Sequence, residues 1–313
     1  MKCKLQLSFQ LFGCKLHSAP IVLVNHALTG NSNVCGDTGW WRTLIGPNKT
    51  IDSQSYTILA FDIPGNGYDG KPDNLIENYK DFVAKDIAEI FLVGLKLLKI
   101  NQLFAIIGCS LGGGIAWQMA CINPKITTHL IPIACDWKST DWIIANCLVQ
   151  EQFLNNSKNP VHDARMHAML CYRTPASFAD RFNCTKTLDL QLFNIESWLL
   201  HHGKKLQKRF QLSAYKLMNQ LLRTIDIAAN DNDQNKALNS IHAKIHMIGI
   251  DSDLFFLSDQ NSQTKKRIHS KFSEVFYNEI TSIHGHDAFL IEFNQLNSII
   301  APVFQSQKNA IMI

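Results

Sequence analysis

The chain has 313 residues, of which 46% are hydrophobic and 18% charged, and its net charge is +4. That apolar share supports a packed core and excludes disordered and fibrous classes; the length suits one large α/β domain with an insertion, or two modest domains. The positive charge is not gathered into one long basic block, so nucleic-acid binding is not expected, and runs such as Lys204-Lys205 and Lys265-Lys266-Arg267 read as solvated helix faces.

The chain opens Met-Lys-Cys-Lys and turns fairly apolar over residues 5–16, faintly like a secretory leader. Gln6, Gln10 and Lys15 interrupt that run and no small-residue cleavage site follows, so a first strand is expected. No apolar run reaches the roughly 18 residues needed to span a membrane. Nine cysteines are scattered without CxxC or zinc-ligand spacing, which fits reduced, packed thiols in a cytoplasmic protein and no metal site.

Residues 19–26 form a continuous apolar run, the signature of a strand buried on both faces of a parallel sheet. It empties into Ala27-Leu28-Thr29-Gly30, and in hydrolase-type sheets the loop at this place supplies a backbone N–H to an oxyanion; Leu28 is the candidate. His26, at a strand end, reads as a structural hydrogen-bonding residue in preference to a catalytic one. Residues 39–47 read as a loop whose Trp40 and Trp41 either wall a site or fill the core. A strand is expected over 56–63, a turn-rich loop over 64–70, and a crossover helix over 79–98, where Phe82, Val83, Ile87, Ile90, Phe91, Leu95 and Leu98 recur at helical spacing.

The helix delivers the chain to Ala105-Ile106-Ile107-Gly108-Cys109-Ser110-Leu111-Gly112-Gly113-Gly114, an apolar strand, a glycine-crowded turn and a helix start. Gly108, Ser110 and Gly112 satisfy the GxSxG nucleophile elbow, in which small residues two before and two after a strained serine let strand and helix approach. A further strand is expected over 129–134, then helices from about 136 to 230, a polar loop over 231–235, and a strand over 244–250. This alternation predicts a doubly wound, mostly parallel sheet with a helical lid, core over 1–135, lid over 136–235 and core again over 236–313, and with the elbow it suits the α/β-hydrolase fold.

Asp251-Ser252-Asp253 follows the resumed strand, and Ser282-Ile283-His284-Gly285-His286-Asp287-Ala288-Phe289-Leu290 comes after a helix and a strand around 274–277. The order serine, aspartate, histidine is that of the α/β-hydrolase triad, with Ser110 as nucleophile. Asp251 competes with Asp253 for the acid, and His284 with His286 for the base; His286, after a glycine and opening a helix-like run, suits a final loop before the last helix.

Several segments together resemble homoserine O-acetyltransferases: His26-Ala27-Leu28-Thr29-Gly30, the 39–47 segment, Ala164-Arg165-Met166, Glu196-Ser197-Trp198-Leu199, Lys208-Arg209-Phe210, Ser213-Ala214-Tyr215 and Gly285 to Leu290. The resemblance runs from about residue 16 to 293 and favours Asp253, because the family's acid lies in a Ser-Asp pair followed by apolar and aromatic residues, here Ser252-Asp253-Leu254-Phe255-Phe256. It implies two-step transfer of acetyl from acetyl-CoA, a co-substrate and not a permanent cofactor, to the hydroxyl of L-homoserine, the entry to methionine synthesis. It also implies a triad of Ser110, Asp253 and His286, oxyanion donors at Leu28 and Leu111, Arg165 on the substrate carboxylate and Asp287 on its ammonium. A homodimer built through lid helices is implied too; Trp198-Leu199-Leu200 and Leu217-Met218 suit either that contact or a tunnel lining.

The chain departs from the family pattern at Asp62-Ile63-Pro64-Gly65-Asn66-Gly67-Tyr68, at Gln211 where the lid motif has an aspartate, at Trp137-Lys138-Ser139, and in a shorter beginning. The rival expectations are a small-molecule esterase or thioesterase on the same machinery, a transferase using serine or succinyl-CoA, and a non-catalytic binding protein of this fold.

Overall fold

A computed structural model describes residues 5–188, 191–229 and 233–311, with side chains described as far as residue 305. Strands β1 (Phe9–Gly13), β2 (Ile21–Asn25), β5 (Thr57–Phe61), β6 (Leu103–Cys109), β7 (Thr127–Ile133), β8 (Lys244–Ile250) and β9 (Val275–Ile280) make one sheet in the order β1-β5-β2-β6-β7-β8-β9. Every pairing is parallel except β1 with β5, so the expected first strand is an antiparallel edge. Within the segment expected as loop, Ile45–Gly46 (β3) pairs in parallel with Ile51–Asp52 (β4). Trp41 there is wholly buried in the core, whereas Trp40 is partly exposed and donates its indole N–H to the Asn31 carbonyl at 2.9 Å.

Strand alternation divides the core between the sheet's two faces. Leu23, Leu59, Ile106 and Leu130 face α1 (Ala84–Leu97) and α2 (Leu111–Ile122), while Val22, Val24, Ile107 and Ile131 face Trp41, Tyr56 and the C-terminal α10 (Phe293–Ile311). The crossover helix is shorter than its apolar periodicity suggests. Residues Tyr79–Asp81 make a 3₁₀ turn, and the Asp86 carboxylate accepts the Val83 N–H at 2.8 Å, so regular helix starts only at Ala84.

Between β7 and β8 lie α3 (Asp141–Asn156), α4 (Pro160–Tyr172), α5 (Pro175–Phe182), α6 (Asn194–Gln207), α7 (Leu212–Arg223) and α8 (Gln234–Asn239). Pro160 and Pro175 open α4 and α5 in the first turn, where a missing N–H costs nothing, and the Thr174 hydroxyl caps α5 by accepting the Ser177 N–H at 3.0 Å. The polar loop expected over 231–235 lies outside the described residues at 231 and 232. The rest of it is no loop: the Asp233 carboxylate caps the N–H groups of Asn235 and Lys236, so Gln234 and Asn235 are already helical. After β8 come α9 (Ser258–Arg267), β9, a 3₁₀ turn over Gly285–Leu290 and α10. Among the described residues no helix is long and apolar enough to cross a membrane, and no group of His, Cys, Asp or Glu is placed to hold a metal ion.

Candidate active site

After β2 the chain moves to β5 on one side, and after α1 it returns to β6 on the other, so β2 and β6 are neighbours at the point where the winding reverses. Loops leaving such strands diverge and open a crevice at the C-terminal edge of the sheet. Ser110 follows β6 at this edge, with φ 52° and ψ −125°, a conformation that L-residues rarely adopt. Its neighbours explain how it is held. A Cβ on Gly108 would lie 2.3 Å from the Gly112 carbonyl oxygen, and one on Gly112 would lie 2.4 Å from that of Asn25. Only hydrogen fits at either place, so strand, helix and the β2 end close around the serine.

His286 Nε2 lies 2.9 Å from Ser110 Oγ, and its Nδ1 lies 2.8 Å from Asp253 Oδ2. A carboxylate only accepts, so Nδ1 carries the proton and Nε2 presents its lone pair to the serine hydroxyl. The other Asp253 oxygen accepts the N–H groups of Phe255 at 2.7 Å and Phe256 at 3.0 Å, which fixes the carboxylate. Tyr172, Phe255, Phe256 and Phe289 surround the imidazole with ring centroids 5.3–5.8 Å away. The competing residues are engaged elsewhere: Asp251 accepts the Ser282 N–H at 3.0 Å, and His284 Nδ1 lies 3.0 Å from both Arg173 Nη2 and Ser177 Oγ. Ser252, whose role the sequence does not announce, joins the two loops by donating to the Ser282 carbonyl and accepting the Gly285 N–H at 3.1 Å.

Leu28 sits on the loop after β2, beside the elbow, and Leu111 begins α2 immediately after Ser110, where first-turn N–H groups have no acceptor within the helix. His26 supports this loop. Its Nδ1 donates to the Ala27 carbonyl at 2.8 Å and its Nε2 accepts the Ile63 N–H at 3.0 Å, while burial pushes its pKa down. Asp62 accepts the Ser32 N–H and hydroxyl, both at 2.8 Å, so the unusual 62–68 segment braces the loop from the β5 side. From the lid, Arg209 Nη1 donates to the Thr29 carbonyl at 3.0 Å. In the sequence Arg209 stands out only within the Lys208-Arg209-Phe210 segment; its reach to Thr29 depends on how the helices pack.

Arg165, on α4, lies 5.7 Å over the Tyr172 ring. Asp287 follows the imidazole in the chain; burial pushes its pKa up, and Arg165 is the largest influence opposing that, followed by His286 and Arg173. The two groups therefore share one electrostatic neighbourhood beside Ser110. Leu28, Tyr172, Tyr215, Gln150 and Phe255 line an enclosed cavity of about 10 Å³, scarcely the size of a water. Burial also raises the Tyr172 and Tyr215 phenols, the latter to about 12, so both are neutral at neutral pH, and the Tyr215 hydroxyl donates to Gln150 Oε1 at 3.3 Å. Leu217 and Met218, considered for a subunit contact or a tunnel lining, are wholly buried in the core shared by the lid and the sheet.

A family model described as the alpha/beta hydrolase fold matches residues 20–136. The homoserine O-acetyltransferase of Cyclobacterium marinum is 32% identical over 94% of this chain and 88% of its own length, and that of Chloroherpeton thalassium is 29% identical over 91% and 79%. Among solved structures, the homoserine O-acetyltransferase of Bacillus anthracis superposes with a TM-score of 0.83 at 18% identity, covering 96% of this chain and 92% of that one. Esterase E22 gives the same TM-score at 19% identity, covering 96% and 94%. The fold is thus shared by transferases and esterases alike, and the fold does not choose between them.

Proposed function

The chain belongs to the homoserine O-acetyltransferase family, and from that premise we propose that it moves an acetyl group from acetyl-CoA to the hydroxyl of L-homoserine through an acyl-serine at Ser110. The observation carrying the mechanism is the Ser110–His286–Asp253 hydrogen-bond chain, at 2.9 Å and 2.8 Å. Ser110 Oγ attacks the thioester carbonyl as His286 Nε2 takes its proton, and Asp253 stabilises the imidazolium. The Leu28 and Leu111 N–H groups receive the oxyanion, each worth roughly 3 kcal/mol to the transition state. The C–S bond breaks, the thiolate takes the proton from Nε2, and CoA leaves. His286 then accepts the homoserine hydroxyl proton as that oxygen attacks the acyl-serine, and returns a proton to Ser110 Oγ as the ester forms.

The acceptor needs its own recognition, and Arg165 with Asp287 suits an amino acid. A guanidinium fork matches a planar carboxylate, and a desolvated carboxylate is relieved by an ammonium partner. That pairing is what favours transfer over hydrolysis, since water requires neither group. The measurement is thiol release from acetyl-CoA with homoserine, with serine, or with neither, and Ser110→Ala as control. Release dependent on homoserine is expected, lost by at least about a thousandfold in Ser110→Ala. Release that needs no amino acid would instead establish a thioesterase.

The same reading includes a homodimer joined through the lid. Its support is a set of exposed apolar side chains on α3, including Ile144, Leu148 (52% exposed) and Val149. Sedimentation should show a dimer that Leu148→Glu converts to a monomer; an unchanged sedimentation coefficient in that variant would place the contact elsewhere.

A further inference from the structure

The enclosed cavity lined by Leu28, Tyr172 and Phe255, about 10 Å³, leaves no room for a nucleotide, so most of any acyl-CoA donor must lie outside it. A second, open concavity of about 420 Å³ lies between α5 and α6 on the lid and is lined by Arg181, Phe182, Asn194, Ser197, Trp198 and His201. This volume falls in the range of small-molecule sites. The Arg181 guanidinium lies 5.6 Å over the Trp198 ring and 5.4 Å over Phe182, and Trp198 packs on His202 at 4.2 Å. An aromatic face with a guanidinium spread across it presents stacking area and a phosphate fork at one place.

The charge pattern joins this concavity to the reaction centre. His202 has its pKa pushed down to about 4, first by burial and then by Arg165, His201, Lys205 and Arg181. Arg165 also acts on Asp287, next to the catalytic candidate His286. Positive charge therefore surrounds His202 and reaches Asp287 through Arg165. The acid of α6, Glu196, accepts the Phe193 N–H at 2.8 Å, and Asp163 of α4 is engaged by His162 at 2.8 Å. Such a path is matched to a long ligand with a reactive end inside and phosphates outside.

We propose that the concavity between α5 and α6 binds the nucleotide end of the acyl-CoA donor, with the base against Trp198 and the phosphates on Arg181 and His201 and, one turn beyond His201 on α6, Lys205. This rests on the acyl-CoA reading above. It adds a donor-specificity site spatially separate from the triad, so that binding energy from the remote nucleotide is used to deliver the thioester to Ser110.

The test compares acetyl-CoA with S-acetyl-N-acetylcysteamine, a thioester of the same acyl group that lacks nucleotide and phosphates, both at saturating homoserine. In Arg181→Glu and Lys205→Glu the KM for acetyl-CoA should rise about tenfold or more, as expected for loss of charge-assisted phosphate contacts. Turnover of the short thioester should stay unchanged, which also shows that the variants are folded. Trp198→Ala should weaken acetyl-CoA alone in the same way. Equal effects on both donors, or no effect on either, would overturn the site. If the unaltered enzyme uses the short thioester as well as acetyl-CoA, at the same KM, the nucleotide contributes no binding and the site is again overturned while the transferase reading stands. If it uses neither thioester, both readings fall.

Discussion

Asp287 follows His286 and is desolvated, with Arg165, His286 and Arg173 countering the effect of burial. In the proposed mechanism it must be ionised to hold the acceptor's ammonium. Because burial raises its pKa above the ordinary carboxylate value, the charged form is lost at a higher pH than for an exposed aspartate. The KM for homoserine should therefore climb as pH falls, while the KM for acetyl-CoA stays level. Asp287→Asn should show a raised homoserine KM that no longer changes over the same range; a variant retaining the full pH dependence would remove Asp287 from the acceptor site. Ser110, by contrast, was legible from its two flanking glycines. The reason is steric, since Gly108 and Gly112 each face a backbone oxygen closer than any Cβ tolerates.

At the scale of elements, the lid is fastened at its stem. Ser139 N–H donates to the Ile225 carbonyl at 2.8 Å, Ile227 N–H donates to the Trp137 carbonyl at 3.2 Å, and Lys138 pairs with Asp226 at 3.3 Å, so the chains entering and leaving the helices form a short antiparallel clasp. The divergent Trp137-Lys138-Ser139 thus has a structural use. Next to it, buried Asp136 ties β7 to α9. Its carboxylate accepts from the Trp137 N–H at 2.8 Å, from Thr264 Oγ1 at 2.9 Å and from Asn261 Nδ2 at 3.2 Å. Burial nevertheless outweighs those donors and raises its pKa from 3.8 to about 7. Between those values the folded state holds a proton that the unfolded state has released, so this group's contribution to stability falls as pH rises from about 4 to about 7 and is level above that. Urea titrations across that window should show Asp136→Asn lacking this component; identical slopes in the two proteins would show that Asp136 is ionised throughout.

For the whole molecule the histidines act in the opposite sense. His129 and His246 bridge β7 and β8, with Nδ1 of one 3.0 Å from Nε2 of the other, and burial lowers both to about 4. Burial lowers His26 also, and His202 falls to about 4. Each stays neutral in the fold while the unfolded chain takes up a proton below pH 6.5, so the stability they contribute is lost as pH falls from about 6.5 towards 4. His167 is lowered by burial as well, and these histidines outnumber the two raised carboxylates, Asp136 and Asp287, which predicts a net loss of thermal stability on acidification from pH 7 to pH 5. Calorimetry checks this, and His246→Phe should shallow the dependence; a midpoint that rises on acidification would show the carboxylate term to be the larger.

The alternation of strands and helices, the elbow, the serine–acid–histidine order and the family resemblance of the 26–30 and 285–290 segments are all legible along the chain. These are local patterns: a β-strand buried on both faces writes a continuous apolar run, and an elbow writes its glycines at fixed offsets. The Ser-Asp pair marked Asp253 only by resemblance, because Asp251 and Asp253 are equally local to the end of β8. Tertiary structure decided between their geometries by turning one carboxylate to His286 and the other to the Ser282 N–H. It also decided that β1 runs antiparallel, that Leu217 and Met218 face inwards, that Arg209 reaches Thr29, and that Arg165 lies in the field of Asp287. Each of these joins residues far apart in the chain, and a contact of that kind depends on how helices and sheet pack, which spacing along the sequence does not encode.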